Sequence, residues 1–259
     1  MRSASPVSIL VAAGVLAGCS HPSRDNTPPH AKAGSSSESY YAPPPPGRPL
    51  SVPEALRVAA EHPGGVQSCY ELGMAYYCAG EYVNSVPRFE RAIRLSPAGV
   101  NTEAYFYLAN CYDALGQPKN AVRTYQRLNR LALPKHTRAR VDACLGIEYQ
   151  AQSDLKSAVA YYTLSLTYDA HQGASLFGLG IIAMHDGNQD LALRYYHLAA
   201  KYAGAPHAEA KVHVNMGVIF ETRGDDLGSL AEYRRALELD PSAVKAHEGV
   251  ARIAGSVGD

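Results

Sequence analysis

Histidine and cysteine, the residue types that most often hold metals or act as nucleophiles, are scattered through this 259-residue sequence. The 10 histidines and 5 cysteines form neither an H-E-x-x-H nor a C-x-x-C spacing, so the ligand spacings of catalytic and structural zinc sites are missing. The sequence has no G-x-S-x-G motif and no phosphate-binding P-loop. Gly178 and Gly180 are interpreted as helix-packing residues, because they lie within a helical pattern and do not follow a strand. We therefore expect no catalytic site, no metal and no cofactor, and a protein that is not an enzyme.

One cysteine differs from the others because of the sequence before it. Met1 and Arg2 give a short positive start, and an apolar run follows from Ile9 to Ala17. That run is about nine residues long, too short to cross a hydrocarbon core of ~30 Å as a helix, and is typical of a signal peptide. It ends in Leu-Ala-Gly-Cys at 16–19, which resembles the lipobox of bacterial lipoproteins.

The resemblance to lipoproteins implies that residues 1–18 are removed and that Cys19 then carries acyl chains, palmitate among them. Ser20, in place of Asp, is similar to members of that class that are sorted to the outer membrane. Two or more acyl chains anchor a protein stably, so we expect a lipid-anchored protein at the outer membrane that faces the periplasm. The alternative is that Cys19 is a buried residue of an ordinary signal peptide or of a short core segment.

The charges of the chain balance, with 24 Lys and Arg residues against 24 Asp and Glu residues. Proteins that bind nucleic acid usually carry an excess of positive charge, so we expect no nucleic-acid partner. Residues 19–50 are rich in Ser, Pro and Gly and offer little apolar surface to bury, which predicts a disordered tether behind the lipid anchor. The Pro43–Pro46 run favours extended polyproline II, or else it is a ligand for another domain.

Residues 51–259 repeat one pattern, with units that begin at Val66, Thr102, Ala139, Gly173 and Ala210. Each unit has a small residue at its eighth and twentieth places and a large one at its twenty-fourth, and most have an aromatic residue at the eleventh. This spacing resembles the tetratricopeptide repeat (TPR). At the turn in the fifteenth place four units have glycine, whereas the third has serine. The residues are, at the eighth place, Gly73, Ala109, Gly146, Gly180 and Gly217; at the fifteenth, Gly80, Gly116, Ser153, Gly187 and Gly224; and at the twenty-fourth, Phe89, Tyr125, Tyr162, Tyr196 and Tyr233.

The TPR resemblance implies an all-α fold, a right-handed superhelix (α-solenoid) of about five helix pairs in a single domain, 51–259. Ser51 and Glu54 have the spacing of a capping box and predict one helix before the array. The tail from Ala243 to Ala254 has apolar and charged residues in the phase of a cap helix at the other end. The repeat explains why the chain has 18 tyrosines, since the large places are filled mostly by tyrosine.

The phase of the first helices predicts which side chains face the concave side of the superhelix, where proteins of this class bind partners. These side chains are largely apolar, so we expect a partner helix or an extended apolar segment there. Phe177, Ile181 and Met184 should form a continuous strip, one turn apart. The alternative is that the curvature of the superhelix or the preceding helix buries these residues. The predicted partner-binding residues are Tyr70, Met74, Tyr77, Phe106, Asn110, Ile147, Phe177, Ile181, Met184, Val214 and Val218.

Four cysteines fall within the array, and an exported chain meets an oxidising compartment. Cys69 and Cys78 are separated by about 13.5 Å of helical rise, too far for a disulfide. Cys78 and Cys111 lie on neighbouring first helices at similar height and could be bonded. The alternative is that both replace small apolar residues.

Three hypotheses about the function compete. The layout of the chain resembles the small lipoproteins that pilot secretin subunits in type IV pilus biogenesis, and their relatives in tight-adherence pilus systems. That resemblance implies a non-catalytic scaffold that binds pilus or secretin subunits. The second is an adaptor for peptidoglycan hydrolases or synthases, for which a tether toward the cell wall is equally suitable. The third, an enzyme of polysaccharide metabolism, would need a second domain for which the chain has no room.

Overall fold

In the computed structural model, residues 49–96 and 101–257 are described, and these form twelve α-helices and no β-strand. The predicted signal peptide, Cys19 and the predicted tether up to residue 48 lie outside the described residues. The helices are α1 (Val52–Glu61), α2 (Val66–Cys78), α3 (Tyr82–Leu95), α4 (Thr102–Ala114), α5 (Pro118–Asn129), α6 (Lys135–Ala151), α7 (Leu155–Tyr168), α8 (Gly173–His185), α9 (Gln189–Lys201), α10 (Pro206–Thr222), α11 (Asp226–Leu239) and α12 (Val244–Val257).

The helices stack in chain order as five pairs, from unit 1 (α2 and α3) to unit 5 (α10 and α11). Each helix packs against its neighbours in the chain, and first helices also contact each other: α2 with α4, α6 with α8, and α10 with α12. Helix α1 precedes the array and α12 closes it. The predicted right-handed superhelix of five helix pairs, with a preceding helix and a cap helix, is therefore confirmed.

The start of the array follows the predicted capping signal. The backbone N–H of Ser51 donates a hydrogen bond to Oε2 of Glu54 over 2.9 Å, and α1 begins at Val52. This contact satisfies a backbone donor that the first turn of a helix would otherwise leave without a partner.

Two first helices are longer than the repeat pattern predicts. Helices α6 and α10 have 17 residues each, and they begin four residues before the predicted unit starts at Ala139 and Ala210. Pro134 stands at the N-cap of α6, and Pro206 is the first residue of α10. Proline is favoured at a helix start because it has no N–H to leave unpaired, so each proline begins its helix one turn early.

The turn inside each unit requires a left-handed backbone at the fifteenth place. Gly80, Gly116, Gly187 and Gly224 have φ between 68° and 78° there, and Ser153 has φ 62° in unit 3. This conformation costs glycine nothing and costs a residue with a β-carbon about 1 kcal/mol. Unit 3 therefore makes the same turn as the others with an unfavourable residue.

The aromatic residues at the twenty-fourth place form the centre of each unit, and all five are at most 1% exposed. Each of these rings in units 1, 3, 4 and 5 fills the space where a β-carbon of the eighth-place glycine would lie. The eleventh-place aromatic residues, by contrast, are only half-buried: Tyr76, Tyr112, Tyr149 and Phe220.

Candidate partner-binding surface

The eleven residues predicted to bind a partner lie on the first helices of the units, and they differ in burial. Their role in partner binding stays a prediction. Those that are accessible can contact a partner without rearrangement of the core. Six are at most 8% exposed: Met74, Phe106, Asn110, Ile147, Phe177 and Val214. Five are half-buried: Tyr70, Tyr77, Ile181, Met184 and Val218.

Phe177 was expected to begin an accessible strip on α8, but it is 1% exposed and belongs to the core. Its ring centroid lies 5.5 Å from that of Tyr196. The reason is the close packing of α8: Gly178 lies against the ring of Tyr162, and Gly180 lies against the ring of Tyr196. Because these glycines bring α8 close to both rings, Phe177, which precedes Gly178, packs against the ring of Tyr196 and is enclosed.

Of the residues predicted to bind a partner in units 4 and 5, the accessible ones are therefore Ile181, Met184 and Val218. The sulfur of Met184 lies 3.9 Å from the hydroxyl oxygen of Tyr196, which donates to it. Methionine adapts its shape readily to a partner, so this end of the inner face offers a small and deformable apolar area.

At the other end, four tyrosine rings from units 1 and 2 form a cluster. The ring of Tyr77 meets those of Tyr82 and Tyr107 edge to face, with centroids 5.6 Å and 5.2 Å apart, and Tyr70 lies 6.2 Å from Tyr107. Burial and the nearby carboxylate of Glu103 raise the pKa of Tyr70 to about 12. Its hydroxyl is therefore neutral at physiological pH, and the cluster presents an uncharged aromatic surface.

An ion pair crosses the inner face between units 2 and 3. Arg140 of α6 donates to both carboxylate oxygens of Glu103 of α4, over 3.2 Å and 2.9 Å. The same guanidinium lies over the ring of Phe106, 3.6 Å from its centroid. Sequence reasoning missed this pair, although a signal was present, because Glu103 and Arg140 occupy the second place of successive units.

A second polar contact between the same helices joins two carboxyl groups. Glu148 of α6 is 2% exposed and is hydrogen-bonded to Asp113 of α4. Burial, followed by the negative charge of Asp113, raises the pKa of Glu148 to about 10, so this residue holds a proton at neutral pH. The pKa of Asp113 is also raised, mainly by burial. No sequence pattern indicates this pair, since two acids on separate units are ordinarily solvated.

Glu221, on the inner side of unit 5, fixes the cap helix. It accepts hydrogen bonds from the hydroxyl of Tyr233, over 2.8 Å, and from two nitrogens of Arg252 on α12. The hydrogen bond with Arg252 is the main cause of its lowered pKa. The Glu221 carboxylate therefore holds the cap helix α12 against the last unit of the array.

Within the described residues, none of the four cysteines forms a disulfide, so Cys78 and Cys111 are not bonded to each other. Cys78 is exposed, whereas Cys111 is buried with its sulfur 3.4 Å from the hydroxyl oxygen of Ser85. Burial raises the pKa of Cys111 to about 12, which makes it an unreactive core residue.

None of the helices in residues 49–96 and 101–257 combines the length and the hydropathy that a membrane-crossing helix requires. In that same part of the chain, no three His, Cys, Asp or Glu side chains lie together in a way that could hold a metal ion.

Family models for the tetratricopeptide repeat match two stretches of the chain, residues 103–131 and residues 145–208. The first stretch lies in unit 2 and the second extends from unit 3 to the start of unit 5. The chain therefore carries tetratricopeptide repeats. No curated protein matches the sequence significantly.

Solved structures share the fold at low sequence identity. The Cut9–Hcn1 structure from the APC/C matches with a TM-score of 0.66 and 16% identity over 77% of this chain. The match covers only 38% of the length of the chain in that structure. The pilF protein of Pseudomonas aeruginosa matches with a TM-score of 0.60 and 14% identity over 77% of this chain and 87% of its own. BtubC from P. vanneervenii matches with a TM-score of 0.58 and 18% identity over 74% of this chain and 87% of its own. These likenesses establish the superhelical fold of TPR proteins, which serve generally as protein-interaction scaffolds.

Proposed function

We propose that the protein is a non-catalytic scaffold, anchored to the outer membrane through lipid on Cys19, that faces the periplasm and binds subunits of a pilus or secretion machine during assembly. The observation that carries the proposal is the layout of the chain: a sequence that resembles a lipobox, a Pro- and Ser-rich segment, and then a repeat array of similar extent to pilF. Such an array offers a long surface to a partner, and the lipid would hold that partner near the membrane.

The burial and the partners of the ionisable groups support a scaffold function. Glu148, whose pKa is raised to about 10, is 2% exposed and lies between α4 and α6. The lowered pKa of Glu221 comes mainly from its contact with Arg252 of the cap helix. Both carboxyl groups join helices, and a substrate could not reach Glu148 without separating two units.

The inner face supports partner binding at its two ends. At one end, three rings of the tyrosine cluster, Tyr70, Tyr77 and Tyr82, are half-buried, whereas Tyr107 beneath them is buried. At the other end, Ile181, Met184 and Val218 are half-buried. Between them the pair of Glu103 and Arg140 is partly exposed, with 36% and 31% of the side-chain surface accessible. A partner helix that contacts both apolar ends would pass over this polar centre, which could fix its register.

Affinity purification of the full-length protein from detergent-solubilised membranes, followed by identification of the bound proteins, tests the proposal. Secretin or pilus subunits are expected among the proteins retained by the wild type and lost from a variant with Ile181→Glu and Val218→Glu. The matched control carries Leu198→Glu, since Leu198 is 45% exposed and lies on α9, a second helix. Recovery of peptidoglycan hydrolases or synthases in place of pilus components would favour the adaptor alternative.

A further inference from the structure

A groove on the outer side of units 1 and 2 lies between the second helices α3 and α5, with the first helix α4 as its floor. Its volume is about 360 Å³, within the range of ligand-binding pockets and enough for a few side chains. Leu108 and Tyr112 of α4 contribute to the floor, Arg94 comes from α3, and Arg123 and Arg127 come from α5. This surface is separate from the inner face.

The part of the chain that builds one wall of the groove is strongly basic, although the whole chain is neutral. Residues 114–141 contain seven Lys and Arg residues and no Asp or Glu. Arg94, Arg123 and Arg127 are exposed around the groove, and Glu90 is the one carboxylate that lines it. The groove therefore carries an excess of positive charge.

The single carboxylate of the groove already has interaction partners. Glu90 accepts a hydrogen bond from the hydroxyl of Tyr112 over 2.9 Å, and its other oxygen lies 3.9 Å from Arg94. Both side chains of this ion pair are well exposed, so the pair contributes little. Burial and the contact with Glu90 raise the pKa of Tyr112 to about 12, so the phenol stays neutral.

Two arginines of the groove have no carboxylate partner among the described residues. The guanidinium carbon of Arg127 lies 5.6 Å from the ring centroid of Tyr105, and Arg123 forms no ion pair within that part of the chain. The two residues are four apart on α5, which places them about 6 Å apart along the helix axis. Their mutual repulsion would be relieved by an anion that contacts both.

We propose that this outer groove binds an acidic segment of a partner protein, in which two carboxylates about 6 Å apart flank an apolar side chain. Arginine forms paired hydrogen bonds with carboxylates, so Arg123 and Arg127 can each hold one of them. The floor of Leu108 and Tyr112 receives the apolar side chain. A recessed groove between two helices suits a peptide better than the flat surface of a bilayer. The site does not depend on the lipid anchor or on the inner face, so it stands apart from the proposed function.

The test uses the full-length protein in detergent and a fluorescein-labelled peptide in which a Glu-Leu-Glu sequence is flanked by glycines. Fluorescence anisotropy should show saturable binding that weakens as salt is added. The same peptide with Gln-Leu-Gln should bind at least tenfold more weakly. Arg123→Gln with Arg127→Gln should also lower the affinity for the acidic peptide at least tenfold, without a change in thermal unfolding.

Two further variants sharpen the test. Arg130→Gln removes a neighbouring exposed charge that does not line the groove and should leave the affinity within twofold of the wild type. Glu90→Gln removes the competing carboxylate and should strengthen binding. Absence of saturable binding at millimolar peptide, equal binding of the Gln-Leu-Gln peptide, or insensitivity to the double substitution would overturn the proposal. Tighter binding of phosphatidylglycerol vesicles or of a single-stranded oligonucleotide through the same two arginines would overturn it in favour of that ligand.

Discussion

The ring of Tyr162 occupies the place that a β-carbon on Gly146 would take, with its Cδ1 atom 2.5 Å from that position. The same ring lies against Gly178 of the next unit, so one aromatic side chain joins three helices. Its hydroxyl donates to Oε1 of Gln150 over 2.8 Å, which satisfies the only polar atom of the side chain. Units 1, 4 and 5 repeat the contact between the eighth and twenty-fourth places, so this relationship defines how each unit closes.

Substitution of Gly146 by Ala should destabilise the protein, even though Ala favours a helix more than Gly does. The added methyl group would overlap the ring of Tyr162, and overpacking typically costs about 1–3 kcal/mol. Gly146→Leu should cost more. Gly255→Ala in α12 is the matched control, because nothing lies within 4 Å of its added methyl group. Urea unfolding of the variants measures the effect, and a Gly146→Ala protein as stable as the control would show that the packing is wrong.

Ser153→Gly should stabilise the protein, because Ser153 holds φ 62° at a turn where the other four units have glycine. Relief of the left-handed backbone is worth up to about 1 kcal/mol, or roughly 2–4 °C in melting temperature. The reverse change, Gly187→Ser, should lower the melting temperature by a similar amount, since a β-carbon added at Gly187 meets no neighbour within 4 Å and the backbone strain is the main cost. Thermal melts followed by circular dichroism compare the two, and shifts of the same sign would contradict the argument.

The stability of the protein should fall as pH rises, because Glu148 binds a proton more tightly in the folded state. Its pKa is raised from 4.5 to about 10, so between these values the folded chain keeps a proton that the unfolded chain releases. One proton changes the free energy of unfolding by at most about 1.4 kcal/mol per pH unit, with stability lost as pH increases. The raised pKa of Asp113 acts in the same direction.

Glu148→Gln should flatten this dependence between pH 5.5 and 8.5, because the amide can donate to Asp113 without titrating. Unfolding free energies at several pH values measure the slope. Glu248→Gln on the exposed side of α12 is the control and should leave the slope as in the wild type. A Glu148→Gln protein with an unchanged slope would show that Glu148 does not carry the buried proton.

Cys19→Ser should leave the protein uncleaved by the lipoprotein peptidase and remove it from outer-membrane fractions, because the serine hydroxyl cannot replace the acylated thiol. Ser20→Asp should keep the lipid but direct the protein to the inner membrane, as the resemblance to sorted lipoproteins implies. Density-gradient fractionation with labelled palmitate measures both outcomes. Normal processing and sorting of the Cys19→Ser protein would refute the anchor.

The repeat spacing predicted the helix pairs well, because each unit buries the same small and aromatic places. The starts of α2, α4 and α8 agree with the predicted starts of their units. The extra turns of α6 and α10 were missed, because the repeat pattern shows only which positions pack against other helices. The helix starts are set by Pro134 and Pro206. Both prolines were visible in the sequence.

The candidate site was harder to predict than the fold. Helical phase placed Phe177 and Ile181 on one face, but the two residues differ in burial, because Gly178 and Gly180 bring α8 close to two rings and Phe177 packs against one of them, that of Tyr196. Phase alone does not give the distance between helices. The contact of Asp113 with Glu148 likewise depends on how successive units are offset, and no local pattern reports that offset.

If the inner face of the array binds a subunit of a pilus or secretion machine, in vivo photo-crosslinking should capture that contact. A photoreactive amino acid in place of Ile181 should form a crosslink to a secretin or pilus subunit. The same amino acid in place of Leu198, on the outer helix α9 of the same unit, should not form it. If the inner face holds the partner, the crosslink depends on position 181. Equal crosslinking from both positions, or a crosslink from position 181 to a peptidoglycan enzyme alone, would contradict the proposed function.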